Sequence, residues 1–315
     1  MLNLVMRNSG FLKTAAALAA AAGMLLCGCD SEKPEVTEAD NTQEISGAPI
    51  IVDDPEAELS EYPVTINDAV IRSSPEKVIC LSSGLTEMIY ELGYGDRLTG
   101  RGSYCDYPEA AAALDDYGKP ASPDLDAILA ASPDLLITAT SIPGKDVSAL
   151  NDAGITVLYI SAPRSVEEFG RIYCALGMVF EGLFEGEEAG NKVFSGIITK
   201  INSCDYHYGR FIYVTEGGAI AGGDTFESSV LSILGENIAK DAQGYTFDKK
   251  LLADDQPDVI ILNSDVPESE VLSDGVLGSL DAALNGRIIV VSNSYFESPS
   301  GRITGLLEEL SEGRE

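Results

Sequence analysis

The chain has no tryptophan and a single histidine, His207. A three-histidine pocket, a Cys2His2 finger and other His-rich metal chemistry are therefore closed to it, and no resident metal or cofactor is expected. Positive charge is also scarce. Only 20 Lys and Arg stand against 51 Asp and Glu, a formal charge of −31, and a field of that sign repels phosphate backbones and excludes nucleic acid as a partner. Past residue 29 no apolar run is long enough to span a bilayer. The six cysteines, at 27, 29, 80, 105, 174 and 204, lack the spacing of a disulfide framework or of a Cys-x-x-Cys metal site. What the chain does have is 315 residues, 45% of them apolar, enough for two domains with cores of their own.

Arg7 and Lys13 precede an Ala/Leu-rich run from Thr14 to Leu26, shorter than a spanning helix, which closes on Leu26-Cys27-Gly28-Cys29 with no acid before Asp30. Residues 1–29 thus resemble a bacterial lipoprotein signal peptide with its lipobox. The resemblance implies a mature protein that begins at lipid-bearing Cys29 and sits on the extracytoplasmic face of the cell membrane. Residues 30–61 hold eleven acids, one lysine and no aromatic. Such a segment cannot bury enough apolar surface to offset its ordering entropy, so it reads as a flexible tether.

From residue 62 onward, strand-like and helix-like runs alternate. Lys77–Leu81 reads as a buried strand, followed by a Ser82-Ser83-Gly84 turn and a helix from Leu85 to Leu92 closed by Gly93. A helix over Asp124–Ala131 leads through Pro133-Asp134 into the strand Leu135–Thr138, and Ile155–Ile160 is a third strand. The second half repeats the pattern with a strand at Arg210–Val214, a helix at Ser228–Leu234, then Leu251-Leu252-Ala253 leading through Pro257-Asp258 into Val259–Leu262, and a strand at Arg287–Val291. This order predicts an α/β protein of two similar lobes with mostly parallel sheets, residues 62–164 and 205–315. Residues 165–204 carry no strand signal. Ser165 and Glu168 have capping-box spacing for a helix to about Phe180, Gly182 and Gly186 then interrupt it, and a long helix from about Glu187 to Ser203 joins the lobes as a stiff strut.

These motifs resemble the substrate-binding proteins of bacterial ABC importers for vitamin B12, ferric siderophores and haem. The likeness rests on Leu81-Ser82-Ser83-Gly84-Leu85-Thr86-Glu87 running to Leu92-Gly93, on Tyr104-Cys105-Asp106-Tyr107-Pro108, on Asp124-Leu125-Asp126, and on Tyr295-Phe296-Glu297 with Ser298-Pro299-Ser300-Gly301-Arg302. It implies a ligand cleft between the lobes at the carboxyl ends of their strands. Ser83, Gly84, Arg101, Tyr104, Tyr107, Thr140, Glu216, Gly217, Tyr245, Tyr295 and Phe296 are the candidate ligand contacts. The aromatic rings can stack on a corrin, porphyrin or catecholate face, and glycines 217, 218, 222 and 223 would let the backbone come close to it.

The resemblance further implies a monomer that delivers an iron-siderophore, cobalamin or related tetrapyrrole to a permease and its ATPase, with metal entering only as part of the cargo. Docking would use one acid per lobe. The first-lobe position is Asp126. The second falls at Lys249 or Lys250, which leaves Asp248 or Asp254 as the neighbouring acid. Two departures bear on the cargo: no tryptophan is available to line a corrin, and Arg101 follows Gly100, where its guanidinium could pair with an anionic group. Three rival readings are an enzyme, a metal-ion-binding protein and a lipid-anchored adhesion or binding module without transport. The Gly217-x-x-x-x-Gly222 spacing lacks the lysine of a phosphate loop and no Gly-x-Ser-x-Gly elbow occurs, so no enzyme is expected. A lone histidine argues against the metal-ion reading.

Overall fold

Runs that are apolar on both faces become central strands of parallel sheets, because helices cover both sides. The computed structural model describes residues 61–204 and 206–312. The expected signal peptide, Cys29 and the expected tether up to residue 60 lie outside the described residues. The first lobe opens with the antiparallel hairpin β1 (Val64–Ile66) and β2 (Ala69–Ile71). It continues through β3 (Val78–Cys80), α1 (Ser83–Glu91), β4 (Leu98–Arg101), α2 (Glu109–Ala112), β5 (Asp115–Asp116) and the small hairpin β6 (Gly118–Lys119) and β7 (Ser122–Pro123). It ends with α3 (Leu125–Ala131), β8 (Leu135–Thr138), α4 (Gly144–Asp152) and β9 (Thr156–Tyr159). Helices α5 (Val166–Glu181) and α6 (Leu183–Asn202) follow. The second lobe comprises β10 (Gly209–Thr215), β11 (Ala219–Ile220), α7 (Phe226–Leu231), β12 (Gly235–Asn237), β13 (Val259–Asn263), α8 (Glu268–Ser273), α9 (Asp281–Leu284), β14 (Ile288–Val291), α10 (Ser294–Glu297) and α11 (Leu306–Glu312).

The first-lobe sheet is parallel throughout, in the order β5-β4-β3-β8-β9. In the second lobe β10, β13 and β14 lie side by side and parallel, while β12 (parallel) and β11 (antiparallel) pair with β10. Central β3, β8 and β13 are buried at every position, whereas the edge strands β9 and β14 each carry an exposed side chain, Tyr159 and Val290. In both lobes the chain leaves the first strand toward one side and returns on the other, which places a crevice at the carboxyl ends of β3 and β8 and of β10 and β13.

The recurring Pro-Asp has a physical role that the sequence pattern does not reveal. Asp134 accepts the backbone N–H groups of Glu76 and Lys77 at 2.8 and 2.9 Å, just ahead of β3. Asp258 accepts that of Arg210 at 2.8 Å, near the start of β10. In each lobe this carboxylate pins the start of the first strand to the strand beside it, satisfying donors the ladder leaves over.

The capping box at α5 forms. The hydroxyl of Ser165 accepts the N–H of Glu168 at 3.1 Å, and the Glu168 carboxylate reaches back to the N–H of Arg164 at 2.8 Å. Gly182, at φ +88°, separates α5 from α6. Gly186, however, does not interrupt a helix: α6 begins at Leu183, not Glu187. A Cβ on Gly186 would lie 2.3 Å from the Gly177 carbonyl oxygen, and one on Gly190 2.5 Å from Cα of Cys174. These glycines let α5 and α6 pack backbone to backbone, so the strut is a helical hairpin. One end of α5 meets the second lobe through Phe169 against Phe226 and through the Val166 N–H to the Ser229 hydroxyl at 2.9 Å. Its other end meets the first lobe, where Tyr62 donates to the Val179 carbonyl and Phe180 stacks on Tyr94.

Three further boundaries differ from the sequence reading. Glu61, assigned to the tether, belongs to the body, where its carboxylate accepts the N–H of Phe184 and its carbonyl that of Leu183 at the start of α6. The second-lobe helix starts at Phe226 under a Thr225 cap and ends at Leu231. Leu251-Leu252-Ala253 lies in a 3-10 turn, Lys249–Ala253.

Candidate functional site

Two stretches more than two hundred residues apart in the chain, Ser83–Glu91 and Ser298–Arg302, meet at the junction of the lobes. Glu87 is 1% exposed. Such a carboxylate persists only if paired and hydrogen-bonded. It accepts the hydroxyl of Ser300 at 2.5 Å and both Nε and Nη2 of Arg302 at 2.7 and 2.6 Å, a bidentate fork. One turn later the Glu91 carboxylate accepts the Gly301 N–H at 2.9 Å and the Tyr173 hydroxyl from α5. Desolvation raises the Glu91 pKa above its ordinary value, outweighing these two hydrogen bonds. Helix α1, the closing loop and α5 are thereby held together.

Two of the expected ligand contacts fall within this junction. The Ser83 hydroxyl pairs with that of Ser298 at 2.7 Å, and a Cβ on Gly84 would lie 2.9 Å from the Pro299 carbonyl oxygen. Both therefore serve lobe-to-lobe contact, and Gly84 is small because the second lobe passes directly over it. The junction also reaches Tyr107. The Arg302 guanidinium lies 4.6 Å from its ring centroid, a cation–π contact that leaves Tyr107 47% exposed. Glu87 thus orients Arg302, and Arg302 braces Tyr107.

On the same side of the first lobe, Tyr104 is 58% exposed, and Arg101 ends β4 with its side chain mostly enclosed. Arg101 donates to the Gly102 carbonyl at 3.0 Å and stands 3.7 Å from Asp116, while its Nε has no partner. Thr140 is half-buried, in a turn where its N–H donates to the Thr138 hydroxyl at 3.1 Å.

In the second lobe the expected residues separate. Tyr245 is exposed and donates to Glu227, in the first turn of α7, at 2.7 Å. Burial, reinforced by Glu227, raises its proton affinity. Phe296 packs edge-on against Tyr213 at 5.3 Å and near Phe226 at 6.4 Å, so one of its faces is already used. Tyr295 turns toward α11, its hydroxyl donating to Glu309 at 3.3 Å and crowding Gly305. Glu216 and Gly217 are exposed in the 3-10 turn after β10. Gly217 borders a 30 Å³ cavity with Val266 and Asp274, which Tyr245 does not line. Gly222 and Gly223 make the close approach expected of them, but to the backbone of Lys240–Ala242 rather than to a ligand surface.

The sequence reading missed a polar set at the carboxyl end of β13. Asn263 donates to Asn293 at 2.8 Å, Asn293 donates to Asp265 at 2.7 Å, and Asn263 accepts the N–H of Asp265 at 2.8 Å. The signal was available: a buried strand, Val259–Leu262, that ends abruptly on Asn, Ser and Asp.

The residues expected to dock can be aligned through their caps. Asp124 caps α3 through the Ala127 N–H, and Asp248 caps the 3-10 turn through the Lys250 N–H. Counting from the caps, Asp126 corresponds to Lys250. Asp126, Asp248 and Lys250 are exposed, while Lys249 is engaged in an ion pair with Asp274.

Cys80, Cys105, Cys174 and Cys204 are all free thiols. Burial pushes the Cys80 thiol up to about 12, so it behaves as an inert core residue. A cavity of about 620 Å³ lies at the opposite end of the first lobe, beside Arg72, Asp134 and Gly154, and none of the expected contacts lines it.

A family model described as periplasmic binding protein matches residues 78–295. An uncharacterised ABC transporter substrate-binding lipoprotein of Bacillus subtilis (strain 168) is 26% identical over 271 residues, covering 80% of this chain and 85% of its own. A cobalamin-binding protein of Halobacterium salinarum is 24% identical over 264 residues, 77% of this chain and 71% of its own. The crystal structure of a possible iron-binding, periplasmic solute-binding protein from Staphylococcus epidermidis superposes with a TM-score of 0.65 at 23% identity, covering 76% of this chain and 99% of the other.

Proposed function

The chain belongs to the periplasmic binding protein family, and from that premise we propose that it captures a metal chelate of the cobalamin, siderophore or tetrapyrrole kind between its lobes and presents it to an ABC importer permease. The observation that carries this reading is the display of Tyr104, Tyr107 and Tyr245. These three large rings stay exposed at the carboxyl ends of the two sheets. Exposed aromatics on rigid supports give stacking area at little entropic cost. Tyr107 is braced by an arginine that is itself locked by a buried carboxylate, so binding need not order it.

Capture then proceeds without chemistry. The helical hairpin and the Glu87–Arg302 pair limit the lobes to small closing motions, and the loaded protein docks through its exposed corners at Asp126 and Asp248. Lys250 at the second corner calls for a permease surface that differs between its two halves. Lipid on Cys29, supported by the Leu26–Cys29 pattern, would keep the body at the extracytoplasmic membrane face.

The test is a thermal melt of the protein with cobalamin, haem and loaded siderophores. A ligand present at a hundred times its Kd stabilises by about 2.7 kcal/mol, a shift of roughly 5–10 °C for a body this size. Tyr107→Ala should reduce that shift by at least half. If no member of the panel shifts a folded sample, the reading fails.

A further inference from the structure

Cys80 and Cys105 are both wholly buried, and the capture reading uses neither. They are 25 residues apart in the chain and adjacent in the fold. Cys80 ends β3, in register with Arg101 at the end of β4. From there the chain turns back. The Gly102 N–H donates to the Cys80 carbonyl at 3.0 Å, and the Cys105 N–H donates to the Gly102 carbonyl at 3.0 Å. The Cys105 thiol thereby comes to lie 3.8 Å from the main-chain oxygen of Cys80 itself. A Cβ on Gly102 would stand 2.4 Å from the Leu81 carbonyl oxygen, so the turn is pressed against the end of β3 with no side chain between them.

One hydroxyl on α1 serves both sulfurs. Thr86 is itself buried and donates to the Cys105 sulfur at 3.4 Å. Burial raises the pKa of both thiols, and a hydrogen bond from this same hydroxyl opposes the rise at each. The Cys80 thiol donates to the Ser82 carbonyl at 3.5 Å. Thiols are weak donors, so joining the two sulfurs gives up little.

We propose that Cys80 and Cys105 form a disulfide as the chain folds in an oxidising compartment, and that this bond fixes the turn carrying Tyr104 and Tyr107. The step is exchange with a disulfide oxidant. One cysteine thiolate attacks an oxidant sulfur, which forms a mixed disulfide and releases one oxidant thiolate. The second cysteine thiolate attacks the first cysteine's sulfur and releases the other. The two cysteines are oxidised by two electrons, the oxidant is reduced to two thiols, and the two cysteine protons pass through solvent to the leaving thiolates. Exchange precedes burial, because in the folded protein desolvation holds both thiols protonated. The compartment rests on the extracytoplasmic placement proposed above; the pairing itself does not. Once closed, the bond lies beneath two exposed rings, Tyr104 and Tyr107, whose supporting turn then needs no ordering on capture.

The experiment refolds the full chain from its reduced, unfolded state in a mixture of oxidised and reduced glutathione, blocks the remaining thiols by alkylation, and maps the unreduced peptides by mass spectrometry. The result expected is a linked Cys80–Cys105 peptide pair. The bridged protein should melt roughly 6–12 °C above a dithiothreitol-reduced sample, the effect of cross-linking a loop of this length in the unfolded chain. Amides 102–107 should exchange hydrogen at least about fivefold more slowly in the bridged form. In Cys80→Ala, oxidised and reduced samples should melt and exchange alike; if that variant does not fold, the two wild-type samples decide the question by themselves. Free thiols at 80 and 105 after oxidative refolding, or pairing of either with another cysteine, overturn the bridge. A bridge that leaves exchange at 102–107 unchanged overturns its role in the turn. The capture reading stands in each of these cases, since it is tested by ligand binding alone.

Discussion

Removing one partner of the Glu87–Arg302 pair should unsettle the junction of the lobes, and the two partners should not be equivalent. Glu87 is 1% exposed, while the side chain of Arg302 is 29% exposed. Arg302→Met strands a carboxylate in the interior with only the Ser300 hydroxyl for company. Breaking a buried pair in this way costs about 3–5 kcal/mol, and the partial exposure of Arg302 places this case near 3. At about 2–4 °C per kcal/mol, the melting temperature should fall by roughly 6–12 °C. Glu87→Gln leaves a cation that can still reach water and should cost about half as much. The double variant Glu87→Gln/Arg302→Met should be no worse than Arg302→Met alone, because the stranded charge is gone. Melts of all four proteins close the cycle. Additive losses, or a loss below about 1 kcal/mol for Arg302→Met, would refute the reasoning and return the pair to the status of a surface contact.

Further expectations follow from the same geometry. Gly190→Leu forces α5 and α6 apart, because even a Cβ there sits 2.5 Å from the Cys174 backbone; overpacking of this kind costs about 1–3 kcal/mol, visible as a lower urea midpoint, and an unchanged midpoint would deny the close approach. Glu91 has a raised pKa in the folded protein. The native state therefore holds its proton to higher pH than the unfolded chain, and this residue's contribution falls as pH rises from about 4.5 through the native value. Relative to the wild type, Glu91→Gln should gain stability across that window and stay level below it; a pH-independent difference between the two would contradict the assignment. Finally, a thiol reagent should modify half-buried Cys204 in the native, reduced protein and Cys174 more slowly, because burial pushes the Cys174 thiol up to about 11, while Cys80 and Cys105 should react only on unfolding, which mass spectrometry of the labelled peptides can read directly.

Much of the architecture could be read from local pattern. Apolar runs such as Leu135–Thr138 and Val259–Leu262 have no polar face to present, so they become central parallel strands wherever the chain places them. The Ser165 and Glu168 spacing announced a cap, and the cap formed. Gly186 shows where pattern misleads. Glycine weakens an isolated helix, so its presence predicts a break. Here the packing of α5 against α6 recovers more than the helix loses, and the residue serves contact instead of interruption.

The candidate site divides along the same line. Residue types and order along the chain were enough to predict two α/β lobes with mostly parallel sheets. They could not establish which way Tyr295 faces, since its hydroxyl is claimed by Glu309, nor that Ser83 and Gly84 would be taken up by the opposite lobe. They gave no sign that Glu87 and Arg302, more than two hundred residues apart, form one buried pair. Periodicity and capping are decided by a residue's near neighbours, so sequence determines them. Whether an exposed-looking Tyr, Glu or Arg meets solvent, ligand or another lobe depends on which distant surface the fold brings against it, and only the tertiary structure decides that.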